Sequence, residues 1–294
     1  MKMGYYPGCS ISGSSREYGE SLLAVLRALD VELAEVEDWN CCGASAAHNL
    51  NHTLSLALPA RSLALAEQQG FQELLVPCAA CFSRLAATRK ALMADDAKRR
   101  QIADLVELPM KNIPVSINLL QLLQRVLPEN LKEKLRAPFD YKVACYYGCL
   151  LVRPAEVVEF DREEDPEEMD RIMEKIGAAP LDWAFKTECC GAGFSVPRTD
   201  VVGRLCARIL DDAVSRGAEA VIVACPMCHS NLDMRRQASE SHSGKKYTIP
   251  ILYVTQAIGL ALGLDAKQLG LQRHIVPVRL SAGKSSQILE NAPA

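Results

Sequence analysis

The chain has 294 residues, 49% of them hydrophobic and 23% charged, with a formal net charge of −3. That length suffices for one large or two ordinary domains with a sizeable core. The slightly acidic balance argues against a nucleic-acid surface, which is usually clearly basic. The opening Met1-Lys2-Met3-Gly4-Tyr5-Tyr6 lacks the apolar core of a signal peptide, so a cytoplasmic chain is expected. The longest apolar run, Ile249 to Leu264, carries Tyr253, Thr255 and Gln256 and is too short to span a bilayer, which predicts no direct membrane insertion. Twelve cysteines are the anomaly. In a cytoplasmic chain, structural disulfides are disfavoured and metal binding or redox chemistry leads.

Lys2 to Tyr6 reads as a strand ending at Pro7-Gly8-Cys9. Leu22, Leu23, Val25, Leu26 and Leu29 recur at helical spacing. Val31 to Val36 reads as a second strand, with Cys41-Cys42 in the loop beyond it. A helix over Leu54 to Gln69 is stopped by Gly70, which suits a left-handed cap. Leu74-Leu75-Val76 is a short buried strand, and Cys78-Ala79-Ala80-Cys81 opens the helix that follows it. Strand and helix alternate throughout, so the fold class is α/β with parallel sheets. Charged, helical Ala97 to Asp104 and Ile113-Pro114-Val115 lead to an amphipathic helix, Leu119 to Leu127. The polar stretch Pro128 to Pro138 is the domain boundary expected.

The second half repeats the first. Tyr146-Tyr147-Gly148-Cys149 ends a strand from Lys142, and the acidic insertion Glu159 to Asp170 reads as a surface loop entering a helix, its run Glu163 to Glu168 solvated. Val201 to Val214 is a helix stopped at Arg216-Gly217, and Val221-Ile222-Val223 is the buried strand before Cys225. Ile249-Pro250-Ile251 mirrors Ile113-Pro114-Val115. The tail from Ser281 is small and polar, with a composition suited to disorder. Two homologous domains, 1–137 and 138–294, are therefore expected, with pseudo-symmetric sheets flanked by helices.

Ten cysteines obey one pattern used twice. Cys9, Cys41, Cys42, Cys78 and Cys81 are separated by spacers of 31 and 35 residues; Cys149, Cys189, Cys190, Cys225 and Cys228 by 39 and 34. In each half they fall in three loops after strands, where ligands of parallel sheets collect. A structural zinc takes four thiolates and leaves one over. A cubane [4Fe–4S] cluster also takes four, so five favour an iron–sulfur site of unusual shape over zinc or a thiol relay.

The doubled pattern, with Tyr5-Tyr6-Pro7-Gly8-Cys9, Cys41-Cys42-Gly43-Ala44, Val158-Glu159-Phe160-Asp161 and Cys225-Pro226-Met227-Cys228-His229-Ser230-Asn231-Leu232-Asp233, resembles the cysteine-rich CCG family. It is similar over nearly the whole chain to the B subunit of heterodisulfide reductase. The last spacer, at 34, is one residue short of the family pattern. The resemblance implies two non-cubane [4Fe–4S] clusters, one held by each set of five cysteines, between which a disulfide is reductively cleaved or formed. It also implies a ferredoxin-like C subunit and a flavin-bearing A subunit as electron donors, in complexes that can be electron-bifurcating. The chain itself has no ferredoxin cysteine run and no dinucleotide loop. Family members in organic-acid and sulfur metabolism supply the alternative of a pure electron relay without its own disulfide substrate.

Other residues have blander readings. Cys145 reads as a buried strand cysteine and Cys206 as core on an apolar helix face. His48 and His229 lie beside the cysteine motifs as weak catalytic candidates, either donating a proton to a leaving thiolate or hydrogen-bonding cluster sulfur. Lys186 and Arg198 are anion-binding candidates whose default is a solvated surface.

Overall fold

A computed structural model of the chain describes residues 1–44 and 47–280, apart from the side chain of His48. The tail expected from Ser281 lies outside the described residues. Strands β1 (Lys2–Tyr5), β2 (Glu32–Glu35), β3 (Glu73–Leu75) and β4 (Val115–Ile117) form one sheet in the order β2-β1-β3-β4. Strands β5 (Lys142–Tyr146), β6 (Ala179–Pro180), β7 (Ala220–Val223) and β8 (Ile251–Tyr253) form the other in the order β6-β5-β7-β8. Every pairing is parallel. The α/β class and the pseudo-symmetric pair of parallel sheets are thus as the sequence predicts.

Strands β4, β6 and β8 are additions to that reading. They are two or three residues long, and Pro114, Pro180 and Pro250 stand at or beside them. Proline reads as a strand breaker, yet it is tolerated at a strand's first residue or edge. Gly70 and Gly217 take positive φ of 81° and 79° just past their helices, as the cap reading requires.

The two halves interlock. Tyr18, Leu22, Val25 and Leu26 make one face of helix Arg16–Ala28, each at most 1% exposed, and that helix packs on Val254–Leu262 of the second half. In return, helix Ala155–Val158 packs on Ala79–Ala94 of the first half, where Val158 joins its core. The polar stretch between the halves is docked: Leu131 is 1% exposed, and the N–H groups of Arg136 and Ala137 donate to Ala261 O at 2.9 and 3.2 Å. One hydrophobic core, including Leu22 and Leu26 as well as Ile258 and Leu260, runs through both halves.

Residues 1–137 made alone would expose the Leu22 face, at roughly 1.5–3 kcal/mol for each large side chain uncovered. We expect that fragment to bind a hydrophobic dye and to unfold without a cooperative transition. Co-production with 138–294 should restore a single transition; two independent transitions in the whole chain would contradict the interlock.

Candidate metal centre

Sheet order decides where the cysteines meet. In each sheet the chain reverses its direction of winding between the two central strands, β1 and β3 or β5 and β7, and the crevice beyond their carboxyl ends is where such folds bind ligands. Cys9 and Cys78 follow β1 and β3; Cys149 and Cys225 follow β5 and β7. Cys78 and Cys225 are the capping residues of helices Ala79–Ala94 and Pro226–Leu232, which puts Cys81 and Cys228 in the first turn. The positive end of each helix dipole lies at these positions and favours negative charge there.

The same props recur on both sides. Tyr6 Oη donates to Asn40 O at 2.7 Å and Tyr146 Oη to Glu188 O at 2.5 Å, tying the paired-cysteine loop to the central strand. Gly8 and Gly148 have φ of 71° and 68°. A Cβ at these positions would lie 3.0 Å from Cys81 Sγ and 2.8 Å from Cys228 Sγ. Only glycine leaves the sulfur its space in that backbone conformation.

The ten thiols come together. Cys41 Sγ lies 3.7 Å from Cys9 Sγ, and Cys42 Sγ lies 3.3 Å from Cys81 Sγ. In the other half Cys190 Sγ lies 3.8 Å from Cys228 Sγ, and the neighbouring Cys189 thiol pushes Cys149 up. Cys78 and Cys225, one from each half, shift one another's thiols, so the two sets adjoin. Cys42, Cys78, Cys81, Cys190, Cys225 and Cys228 are buried; Cys9, Cys41 and Cys189 are exposed and Cys149 is half-buried.

Crowding divides the protons unequally. The Cys41 and Cys81 thiols pull Cys42 down to about 3, while donating to Cys42 and partial burial push Cys41 up. Cys149 pulls Cys189 down to about 6 and is itself pushed up. Cys228 and Cys78 hold Cys225 well below its usual range. The donor set is five soft sulfurs per half, and among the described residues no carboxylate or imidazole is bonded to them. That chemistry fits thiolate-seeking metals, and its count exceeds the four ligands of a zinc site.

The remaining candidates sort as follows. Cys145 is fully buried in β5, and its carbonyl accepts from Trp183 Nε1 at 3.0 Å. Cys206 is fully buried, and its thiol donates to Cys190 O at 3.5 Å. His229 is 2% exposed, stacked on Tyr253 at 4.3 Å, with its Nε2 3.4 Å from His274 Nδ1. Burial and the His274 ring hold it well below its usual value, in the neutral form. The side chain of His48 lies outside the described residues. Lys186 corrects the solvated reading: it is 7% exposed, its Nζ donates to Pro166 O at 2.9 Å, and it pairs with Asp165 and Asp170 at 3.2 and 3.4 Å. The acidic insertion folds over this lysine, so part of it is packed rather than solvated. Arg198 is exposed and pairs with Asp200 at 2.8 Å.

Sequence reasoning missed two side chains. Tyr18 Oη lies 3.4 Å from Pro77 O and 3.2 Å from Ala224 O, the carbonyls just before Cys78 and Cys225, and its ring stacks on Tyr253 at 4.2 Å. Asn231 Nδ2 donates to Cys190 O at 3.0 Å and to Cys190 Sγ at 3.6 Å. A tyrosine nine residues after Cys9 carries no spacing signal; Asn231 sat within the motif but had no partner to suggest its role.

Gly148→Ala is expected to displace Cys228 Sγ and to destabilise the metal-free protein by roughly 1–3 kcal/mol, the usual cost of a strained backbone residue. Denaturant unfolding measures this, and Gly193→Ala, where a Cβ meets nothing within 4 Å, is the control.

Comparison with known proteins agrees with this architecture. The cysteine-rich CCG domain matches twice, over residues 3–86 and 143–233. The chain is 30% identical over 276 residues to the 8-methylmenaquinol:fumarate reductase membrane anchor subunit of Wolinella succinogenes, covering 92% of this chain and 96% of that one. It is 29% identical over 282 residues to the B subunit of the ferredoxin:CoB-CoM heterodisulfide reductase of Methanosarcina mazei, covering 94% of each. Among the described residues no helix is long and apolar enough to cross a membrane. A crystal structure of a hypothetical protein from Helicobacter pylori shares the fold, with a TM-score of 0.77 at 14% identity, over 95% of this chain and 52% of that one. With its two matched modules and their converging thiols, the chain belongs to the cysteine-rich CCG domain family.

Proposed function

We propose that the chain is the catalytic iron–sulfur subunit of a cytoplasmic multi-subunit oxidoreductase that reductively cleaves, or forms, a disulfide. Its modules would be 1–137 and 138–294. Cys9, Cys41, Cys42, Cys78 and Cys81 would hold one non-cubane [4Fe–4S] cluster, and Cys149, Cys189, Cys190, Cys225 and Cys228 the other. When bound, two such clusters supply the two electrons, one apiece, that breaking a sulfur–sulfur bond requires. Electrons would reach them from a ferredoxin-like subunit served by a flavin-bearing one.

The observation that carries the reading is the Tyr18 hydroxyl between Pro77 O and Ala224 O, at 3.4 and 3.2 Å, which brings together the strand ends that lead into Cys78 of one half and Cys225 of the other. A guest between the sites would enter where Cys9, Cys41 and Cys189 are exposed, while the buried cysteines stay shielded from water. At that entrance the Gly43 and Gly191 N–H groups donate to Cys41 Sγ and Cys189 Sγ at 3.5 and 3.3 Å, which stabilises negative charge on sulfur. The identity to the B subunits of heterodisulfide reductases adds weight. The 30% identity to a subunit of a quinol:fumarate reductase favours the second reading, an electron relay without its own disulfide.

Protein prepared without oxygen should carry about eight irons per chain, as two [4Fe–4S] sites demand. Two zincs and no colour would end the proposal. Cys42→Ser or Cys190→Ser should remove one site's spectrum and about half the iron while sparing the other. Turnover of a small-molecule disulfide with an artificial reductant supports the catalytic reading; iron-loaded protein that turns over none supports the relay.

A further inference from the structure

The two thiol sets have matched backbone donors and unmatched side-chain donors. Gly43 and Gly191 play equivalent parts, as above. Asn231 has no counterpart among the described residues, for Arg84 holds the position six beyond Cys78 that Asn231 holds beyond Cys225. No side-chain amide donates to a thiol of the first set among the described residues.

Asn231 is fixed from behind. It is 0% exposed, and Ser195 Oγ donates to its Oδ1 at 2.6 Å. With the oxygen engaged, the NH2 group must face Cys190, whose carbonyl can only accept. Its Nδ2 thus donates to both the carbonyl and the sulfur, the latter at a length normal for sulfur acceptors. Cys206 donates to the same carbonyl at 3.5 Å.

An N–H donor on a ligand sulfur stabilises the charge that reduction adds, and so raises a site's potential. We propose that Asn231, oriented by Ser195, raises the reduction potential of the site that contains Cys190 above that of its twin, so that the second site takes the first electron. The inference rests on the reading of these cysteines as iron–sulfur ligands. The step is uptake of one electron from a reductant such as dithionite, with no bond made or broken and no proton required.

The test is a dithionite titration of the full chain, prepared without oxygen and followed by electron paramagnetic resonance. Cys190→Ser identifies the second site's signal by its loss. The wild type should show two midpoints with the second site higher. Asn231→Leu should lower that midpoint by about tenfold in the equilibrium, as removal of a hydrogen bond to a charged group implies, or about 59 mV for one electron. The first midpoint should stay. Ser195→Ala, at a half-buried position, should move it the same way by less, and it carries the test if Asn231→Leu fails to load iron. A second midpoint unmoved in the iron-loaded variants, a wild-type second site that is the lower one, or equal shifts of both midpoints overturns the inference alone. A wild type without iron overturns the functional reading together with it.

Discussion

Sulfur crowded against sulfur is the constraint on which the rest of the molecule depends. Ten thiols share one crevice, six of them withdrawn from water. Buried like charges cannot all be ionised, because each thiolate needs a compensating donor or cation. Sharing protons meets this, with Cys42 low and Cys41 high and the same split between Cys189 and Cys149. A bound cation replaces those protons, so metal uptake and proton release are one event. That balance is what the proposed iron–sulfur sites would require of their ligands.

Repetition and departure carry different information. Tyr6 with Tyr146, Gly8 with Gly148, and the two helix-capping cysteines place sulfurs alike on each side. The second half then adds features of its own. Tyr253 stacks between Tyr18 and His229, and its hydroxyl approaches Glu17 Oε1 at 3.3 Å. Burial holds the Glu17 carboxyl above its usual range and His274 down to about 4.

Much of this was legible in the residues. Cysteine spacing located both thiol sets, because a short motif fixed to a strand end needs no long-range information. Gly70 and Gly217 announced their helix ends because backbone conformation is a local property. The interlock was not legible: Tyr18 and Leu22 read as a helix face, and no local signal says which half covers it. Lys186 read as surface because its burial depends on an acidic loop folding back over it. Asn231 lay in plain view, yet its role depends on Cys190 and Ser195, 41 and 36 residues away.

Tyr18 bridges the carbonyls of Pro77 and Ala224 from inside the shared core. It is a cross-brace on the seam, and it belongs to neither sheet. With an aromatic strut set between them, the two strand ends are tied at one spacing, and a molecule seated between the proposed sites would have to match that width. Selectivity by size would then be inherited from the framework, before any group at the mouth makes contact.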